Sequence, residues 1–132
     1  MIAKVQYVAL SGFRSRLAQF LRFSERAAHD AGLQPLQYLL LLHLRGFPRR
    51  DWATIGELAA RLYASHQGTV ALVKRCERNG LITKQRNLAD GRRVEIHLTA
   101  KARALLERVA SVHRNELKRL ADALSATNAE TI

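Results

Sequence analysis

The chain has 132 residues, 48% of them hydrophobic, which is enough for one domain with a buried core. A formal net charge of +11 favours a polyanionic partner, such as nucleic acid, an acidic membrane surface or an acidic protein. The single cysteine excludes an internal disulfide, no segment reaches the length of a membrane span, and the N-terminus lacks a signal-peptide pattern, so we expect a cytoplasmic protein.

Two amphipathic helices are predicted at the start of the chain. Residues 5–30 place apolar side chains at spacings of three and four, and Gly32 fits the end of this helix. Pro35 suits the first turn of a second helix, which should end at Gly46. The second helix is apolar on most sides, so we expect it at the centre of the core, with a buried face formed by Leu36, Leu39, Leu40 and His43.

The segment from Thr54 to Thr99 predicts a helix-turn-helix followed by a wing. Thr54-x-x-Glu57 is a capping box for a short third helix, and Tyr63-Ala64 forms a tight turn. Ser65 is the expected N-cap of a fourth helix, which ends at Asn79-Gly80. Two strands follow, at 81–86 and 93–98, joined by a hairpin tip that contains Asp90-Gly91. This order of elements is suited to placing one helix in a DNA groove.

A long fifth helix is predicted from Thr99 to Leu124, and Thr127-x-x-Glu130 has the pattern of a further capping box. The first and fifth helices are longer than a winged-helix core requires, so we expect them to pack against a second copy of the chain. The alternative is a monomer in which they cover each other. The predicted fold class is mainly α (α+β): a single domain over 1–132, with a winged helix-turn-helix core at about 34–99 and long N- and C-terminal dimerisation helices at 5–30 and 99–124.

The outward face of the fourth helix and the hairpin tip form the predicted DNA-binding surface. Polar side chains there can bond base edges or phosphates, small residues allow close approach, and wing arginines suit a narrow minor groove. Asp90 would repel phosphate, so we expect it to hold Arg92 by a salt bridge and to cap the turn. The alternatives are a solvated helix face and an ordinary basic hairpin. The predicted contacts are Ser65, His66, Gln67, Gly68, Thr69, Ala71, Lys74 and Arg75 on the helix, and Arg86, Asp90, Arg92 and Arg93 on the wing.

Over roughly residues 8–125 the chain resembles the MarR (multiple antibiotic resistance regulator) family. The matching stretches are 33–40, 54–59, Thr69-Val70, Leu81-Ile82 after Asn79-Gly80, and above all Asp90-Gly91-Arg92 followed by Leu98-Thr99. The resemblance implies a homodimer that binds a pseudo-palindromic operator in double-stranded DNA and mostly represses. By position, the resemblance implies that residues 65–71 and Arg75 belong to the recognition helix and that Arg92 is the wing arginine. The sequence departs from the family at Cys76, where leucine is usual, and after Leu124-Ser125, where the family has a last helix in the dimer interface.

The resemblance also implies a small-molecule effector, often an aromatic anion, that binds between the dimerisation helices and the winged domain and releases the DNA. The candidate effector pocket comprises Phe13, Leu17, Tyr38 and His43. We therefore predict a sequence-specific transcriptional repressor. Two alternatives stay open: a winged-helix interaction module for an acidic partner, without sequence-specific DNA binding, and a small-molecule sensor that no longer depends on DNA.

The sequence favours no catalytic, metal or cofactor site. The five histidines are scattered and form no ligand pair with another His, Cys or carboxylate at metal spacing. Neither a phosphate-binding glycine loop nor a nucleophile motif is found, so an enzyme is not expected. We expect Cys76 in the core rather than as a redox sensor, and Glu95 and Glu107 as solvated surface residues.

Overall fold

Six helices and one small sheet make up the computed structural model, which describes residues 1–126. The helices are α1 (Lys4–Asp30), α2 (Pro35–Arg45), α3 (Ile55–Leu62), α4 (His66–Arg78), α5 (Ala100–Val112) and α6 (Arg114–Ala126), and the strands are β1 (Trp52–Ala53), β2 (Ile82–Arg86) and β3 (Val94–Leu98). The predicted fold class, mainly helical with a winged helix-turn-helix, is confirmed. The predicted capping box at Thr127-x-x-Glu130 lies outside the described residues.

Glycines end α1 and α4 as the sequence predicts. Gly32 (φ +81°) and Gly80 (φ +72°) lie in the left-handed region, which glycine adopts without steric cost. In both turns the next residue bonds back to the helix: the Leu33 amide donates to the Ala28 carbonyl, and the Leu81 amide to the Cys76 carbonyl, each at 2.9 Å. These turns direct the chain from α1 into α2 and from α4 into β2.

The core forms around α2. Leu40, Leu41 and Leu44 are completely buried there, and each contributes roughly 1.5–3 kcal/mol by leaving water. They belong to one cluster with buried residues of α3, α4, β3 and α5, among them Leu58, Val73, Ile96 and Leu106. The central position predicted for α2 is confirmed, but its buried face differs from the prediction: Leu36 is 56% exposed and His43 is half-buried.

The sheet has the antiparallel order β1-β3-β2. Trp52 pairs with His97 and Ala53 with Ile96, while β2 pairs with β3 from Ile82 opposite Leu98 to Arg86 opposite Val94. Strand β1 was not predicted from the sequence, because a strand of two residues has no alternating pattern to detect. Since β1 stops opposite Ile96, the half of the hairpin nearer the tip has only two strands.

The single fifth helix expected over 99–124 is wrong, because the helix breaks at His113 into α5 and α6. His113 is buried, and its Nδ1 lies 2.6 Å from the Val109 carbonyl oxygen. Its ring stacks on Tyr38 at 5.5 Å and meets the rings of Phe20 and Phe23 edge-on. The imidazole is therefore anchored in the core at the bend, and the chain beyond it packs along α1 as α6. Within the described residues, none of these helices has the length and hydropathy required to cross a membrane.

Candidate nucleic-acid interface

Side-chain caps fix the start of both helices of the helix-turn-helix. Thr54 and Glu57 form the predicted capping box: the Thr54 hydroxyl accepts from the Glu57 amide at 3.3 Å, and the Glu57 carboxylate accepts from the Thr54 amide at 3.0 Å. Ser65 Oγ accepts from the Gly68 amide at 3.0 Å, which confirms Ser65 as the N-cap of α4. Between the two helices Tyr63 adopts a left-handed conformation (φ 52°) and is 97% exposed.

The structure exposes most of the predicted reading face of α4. The exposed residues are Ser65, His66, Gln67, Gly68, Ala71, Lys74 and Arg75. Thr69 differs from the prediction. It is completely buried, and its hydroxyl donates to the Ser65 carbonyl at 2.9 Å, so it stabilises the first turn of α4 instead of facing DNA. A threonine hydroxyl commonly bonds the carbonyl four residues earlier, and helical periodicity alone did not separate this role from an outward one.

Arg75 is held by a contact that the sequence did not predict. Its Nη1 donates to Oε1 of Gln34 at 3.3 Å, and Gln34 is the residue that caps the start of α2. A residue 41 positions earlier in the chain thus orients the arginine of the reading face. Only the tertiary fold brings the two together, so no local pattern could have revealed the pair.

Short polar side chains shape the tip of the wing. Asn87 Oδ1 accepts from the amides of Ala89 and Asp90, both at 2.9 Å, and Asp90 Oδ1 accepts from the Arg92 amide at 3.1 Å. Asn and Asp favour such turns because their side chains bond their own backbone a few residues on. The expected salt bridge between Asp90 and Arg92 is wrong: within the described residues the carboxylate bonds the Arg92 amide and forms no ion pair with the Arg92 guanidinium.

Among residues 1–126, Arg92 is exposed and its guanidinium has no hydrogen-bond or ion-pair partner. Arg86 is tied to the same turn, because its Nη1 donates to the Gly91 carbonyl at 3.3 Å. Arg93 is exposed too, and its guanidinium carbon lies 5.9 Å from the centre of the Trp52 ring. Of the three predicted wing arginines, Arg92 therefore has its charged group most available to a ligand.

Glu95 was expected to be a solvated surface residue, but its side chain is partly buried and hydrogen-bonded. Its carboxylate accepts from Asn87 Nδ2 at 2.7 Å and lies 3.0 Å from His97 Nε2. These bonds, first the one with His97 and then the one from Asn87, lower the pKa of Glu95. The side chain therefore links the base of the wing to its tip.

A cavity of about 740 Å³ lies between α1 and α5. None of the four predicted pocket residues lines it. Tyr38 is buried against His113, and His43 is half-buried, its pKa lowered by burial and by the charge of Arg61. Phe13 and Leu17 are half-buried on α1. The residues that line the cavity are Phe23, Arg26, Ala27, Asp30, Ala31, Arg108, Val109, Ser111 and Val112.

Cys76 is completely buried, and burial raises the pKa of its thiol to about 11. At neutral pH the group is therefore a protonated thiol, which is a poor nucleophile and a poor metal ligand. In the part of the chain that the structure describes, no three His, Cys, Asp or Glu side chains cluster closely enough to hold a metal ion.

The sequence model of the MarR family matches residues 31–93, which include α2, the helix-turn-helix and the tip of the wing. An uncharacterised HTH-type transcriptional regulator of Bacillus subtilis, YkoM, is 26% identical over 122 residues, covering 89% of this chain and 76% of the relative. Over residues 31–93 the chain is similar to the MarR family of transcriptional regulators. This bears out the resemblance carried by the wing motif Asp90-Gly91-Arg92 with Leu98-Thr99.

Solved structures of MarR-family proteins share the fold of this chain. A MarR family protein from Bacillus stearothermophilus superposes with a TM-score of 0.74 at 24% identity, covering 98% of this chain and 87% of the other. A mutant of Escherichia coli MarR complexed with operator DNA superposes with a TM-score of 0.68 at 17% identity, covering 89% and 81%. The likeness extends beyond the winged helix-turn-helix to the helices that flank it.

Proposed function

We propose that this protein is a sequence-specific DNA-binding repressor that acts as a homodimer on a pseudo-palindromic operator. The observation that carries the proposal is the pairing of two exposed elements in one fold: the capped helix α4, whose outer face carries Lys74 and Arg75, and the wing turn that presents Arg92. That the mutant E. coli MarR with the same fold was solved with operator DNA supports the proposal.

The polar groups of α4 suit the major groove. Gln67 can bond a base edge through both its amide oxygen and nitrogen, and Gly68 and Ala71 add little bulk where the helix must approach DNA closely. Lys74 and Arg75 supply positive charge farther along the same helix. We assign sequence discrimination to Gln67 and Arg75, at roughly 1–3 kcal/mol for each specific base contact.

The wing suits the adjacent minor groove. A narrow minor groove concentrates negative potential, and an unpaired arginine on a short turn can enter it. Arg92 meets this requirement because the Asp90 carboxylate bonds its backbone amide and not its side chain. In this proposal α4 contacts the bases and provides specificity, and the wing contacts the flanking DNA and increases affinity.

Dimerisation is supported by apolar side chains that a single chain leaves in water. On α1 they include Val5, Tyr7, Val8, Leu10 and Leu21, and on α6 Leu117 and Leu124. An exposed apolar surface of this kind marks an interaction site, and a second copy of the chain would bury it symmetrically. Sedimentation equilibrium should give a dimer, and Leu117→Asp should shift it toward monomer.

We also propose that the cavity between α1 and α5 receives a small aromatic anion that weakens DNA binding. Its volume lies within the range of small-molecule sites, Phe23 and Val109 offer apolar contact, and Arg26 and Arg108 can pair with a carboxylate. Benzoate is a suitable probe because it consists only of an aromatic ring and a carboxylate. Binding of benzoate by calorimetry should weaken in Arg26→Gln and stay unchanged in Arg45→Gln, which lies outside this cavity.

The proposal is tested by fluorescence anisotropy with labelled DNA from upstream of the gene and with a shuffled sequence of equal length and composition. A repressor of this kind should bind the upstream DNA at least about a thousandfold more tightly than non-specific DNA. Equal binding to the two duplexes, disappearing together with modest salt, would mean that the charge acts only as a generic attraction and would reject the proposal.

A further inference from the structure

Five side chains from four parts of the fold stack as alternating cations and rings. The Arg61 guanidinium carbon lies 4.5 Å from the centre of the Phe47 ring, and that of Arg50 lies 4.6 Å from Phe47 and 4.1 Å from Trp52. The guanidinium carbon of Arg93 lies 5.9 Å from the centre of the Trp52 ring. All four distances fall within the range of a cation–π contact, about 6 Å. We call Arg61, Phe47, Arg50, Trp52 and Arg93 the arginine–aromatic ladder.

The ladder is anchored at both ends of α3. Arg50 forms an ion pair with Glu57 in the first turn of α3, and Arg61 lies in its last turn. The chain reaches this arrangement through Arg49, which adopts a left-handed conformation (φ 69°) that residues with a side chain seldom take. Because Arg50 lies between two rings and is paired with a carboxylate, its charge is committed within the protein and is not offered to DNA.

The other end of the ladder meets the wing where the sheet is thinnest. Strand β1 pairs with β3 only at Ile96 and His97, so the hairpin closer to the tip has two strands. A two-stranded hairpin is marginally stable in water unless something packs against it. Trp52 supplies this support through the guanidinium of Arg93, while its ring also stacks at 6.3 Å on His97, the residue of β3 with which it pairs.

We propose that the arginine–aromatic ladder is a positioning device that fixes the orientation of the wing relative to the helix-turn-helix. The inference rests on the proposed function, in which α4 and the wing must meet the same DNA at once. Arg93 is the neighbour of Arg92, so holding Arg93 against Trp52 restricts where the Arg92 side chain can lie. The ladder residues act through the wing and need not touch DNA themselves.

The first test uses the protein without DNA. Amide hydrogen exchange is followed over the wing, residues 86–94, with the amides of α5 as an internal reference. Trp52→Leu removes the ring that joins Arg50 to Arg93, and Arg50→Lys keeps the charge facing Glu57 but loses the planar group that stacks. Both should speed wing exchange about threefold to fivefold relative to α5. The matched control Arg45→Lys changes an arginine that pairs with Asp51 outside the ladder, and it should have no effect on the wing.

The second test asks whether Trp52 acts through the wing on DNA. Affinity for upstream DNA is measured in the wild type, Trp52→Leu, Arg92→Ala and the double variant. The Trp52 substitution should weaken binding about threefold to fivefold on its own and have little further effect once Arg92 is gone. Full additivity, or unchanged wing exchange in both ladder variants, would overturn the inference. Absence of specific binding by the wild type would instead reject the proposed function, and hydrogen exchange would still decide the role of the ladder.

Discussion

Asp90 accepts a hydrogen bond from the backbone amide of Arg92, at 3.1 Å, and leaves the guanidinium of that arginine unpaired among the described residues. An acidic residue at the tip of a wing that we propose to bind DNA is otherwise hard to explain, since its charge repels phosphate. Here the carboxylate shapes the turn, and the arginine two positions later provides the positive charge. Within three residues, Asp90 therefore has a structural role and Arg92 has the proposed DNA-binding role.

Replacing Arg92 with alanine should weaken DNA binding roughly tenfold, about 1.4 kcal/mol, because one exposed cation in the minor groove is lost. Unfolding free energy should change by less than about 0.5 kcal/mol, since the side chain is exposed and forms no hydrogen bond or ion pair within residues 1–126. Arg45→Ala removes the same charge from the far end of α2 and serves as the control. Equal losses of affinity in the two variants would show that only net charge matters.

Two substitutions of Asp90 should distinguish its role in shaping the turn from the effect of its negative charge on DNA affinity. Asp90→Asn keeps an oxygen that can accept from the Arg92 amide and removes the negative charge, so DNA affinity should hold or increase. Asp90→Ala removes the acceptor as well, and affinity should fall although the protein has become more positive. Anisotropy titrations at one salt concentration compare the DNA affinity of both variants with that of the wild type. Tighter binding by Asp90→Ala than by the wild type would disprove the role of Asp90 in the turn.

Ser65 has a capping role and a proposed DNA-contact role, which two substitutions can separate. Ser65→Ala should lower the unfolding free energy by about 1 kcal/mol, because the Gly68 amide loses its acceptor. Ser65→Asp keeps an N-cap acceptor and should restore stability, but its carboxylate should repel phosphate and weaken DNA binding further. Urea unfolding and DNA titration of both variants should therefore rank them in opposite orders.

Glu57 should make stability depend on pH. Partial burial raises its pKa, but hydrogen bonds from the Thr54 amide, Arg50 and the Thr54 hydroxyl, together with the charge of Arg50, outweigh that effect and lower it. A carboxylate with a lowered folded-state pKa stabilises the fold above its ordinary pKa, about 4.3, and this stabilisation is lost as pH falls through the folded-state value. Glu57→Gln should thus be less stable than the wild type at pH 7, with a gap that narrows below about pH 4.3 in urea unfolding. A gap independent of pH would contradict this role.

Local chemistry made much of the fold predictable. The capping box at Thr54, the N-cap at Ser65 and the left-handed glycines at 32 and 80 are short-range signals, and each lies where the sequence placed it. The wing was predictable because two strand patterns flank the turn residues Asp90-Gly91. The break at His113 was not predictable in the same way. The helical stripe continues through it, and the cause is tertiary contact with Tyr38, Phe20 and Phe23.

The site was predicted less completely than the fold. Thr69 was predicted to contact DNA, but its hydroxyl bonds the helix backbone and its side chain is buried. The hydrogen bond between Gln34 and Arg75 joins residues far apart in sequence, and so does the ladder around Trp52. Contacts of this kind depend on how elements pack, and a single sequence does not contain a signal for them.

The most direct test of the central claim is a hydroxyl-radical footprint of the purified protein on DNA from upstream of its gene, with excess random competitor DNA present. A dimeric repressor should give two protected half-sites related by two-fold symmetry, about 34 Å apart, one for each α4. Arg92→Ala should lose protection first in the flanking minor groove. Uniform weak protection that the competitor abolishes would contradict a dimeric, sequence-specific regulator.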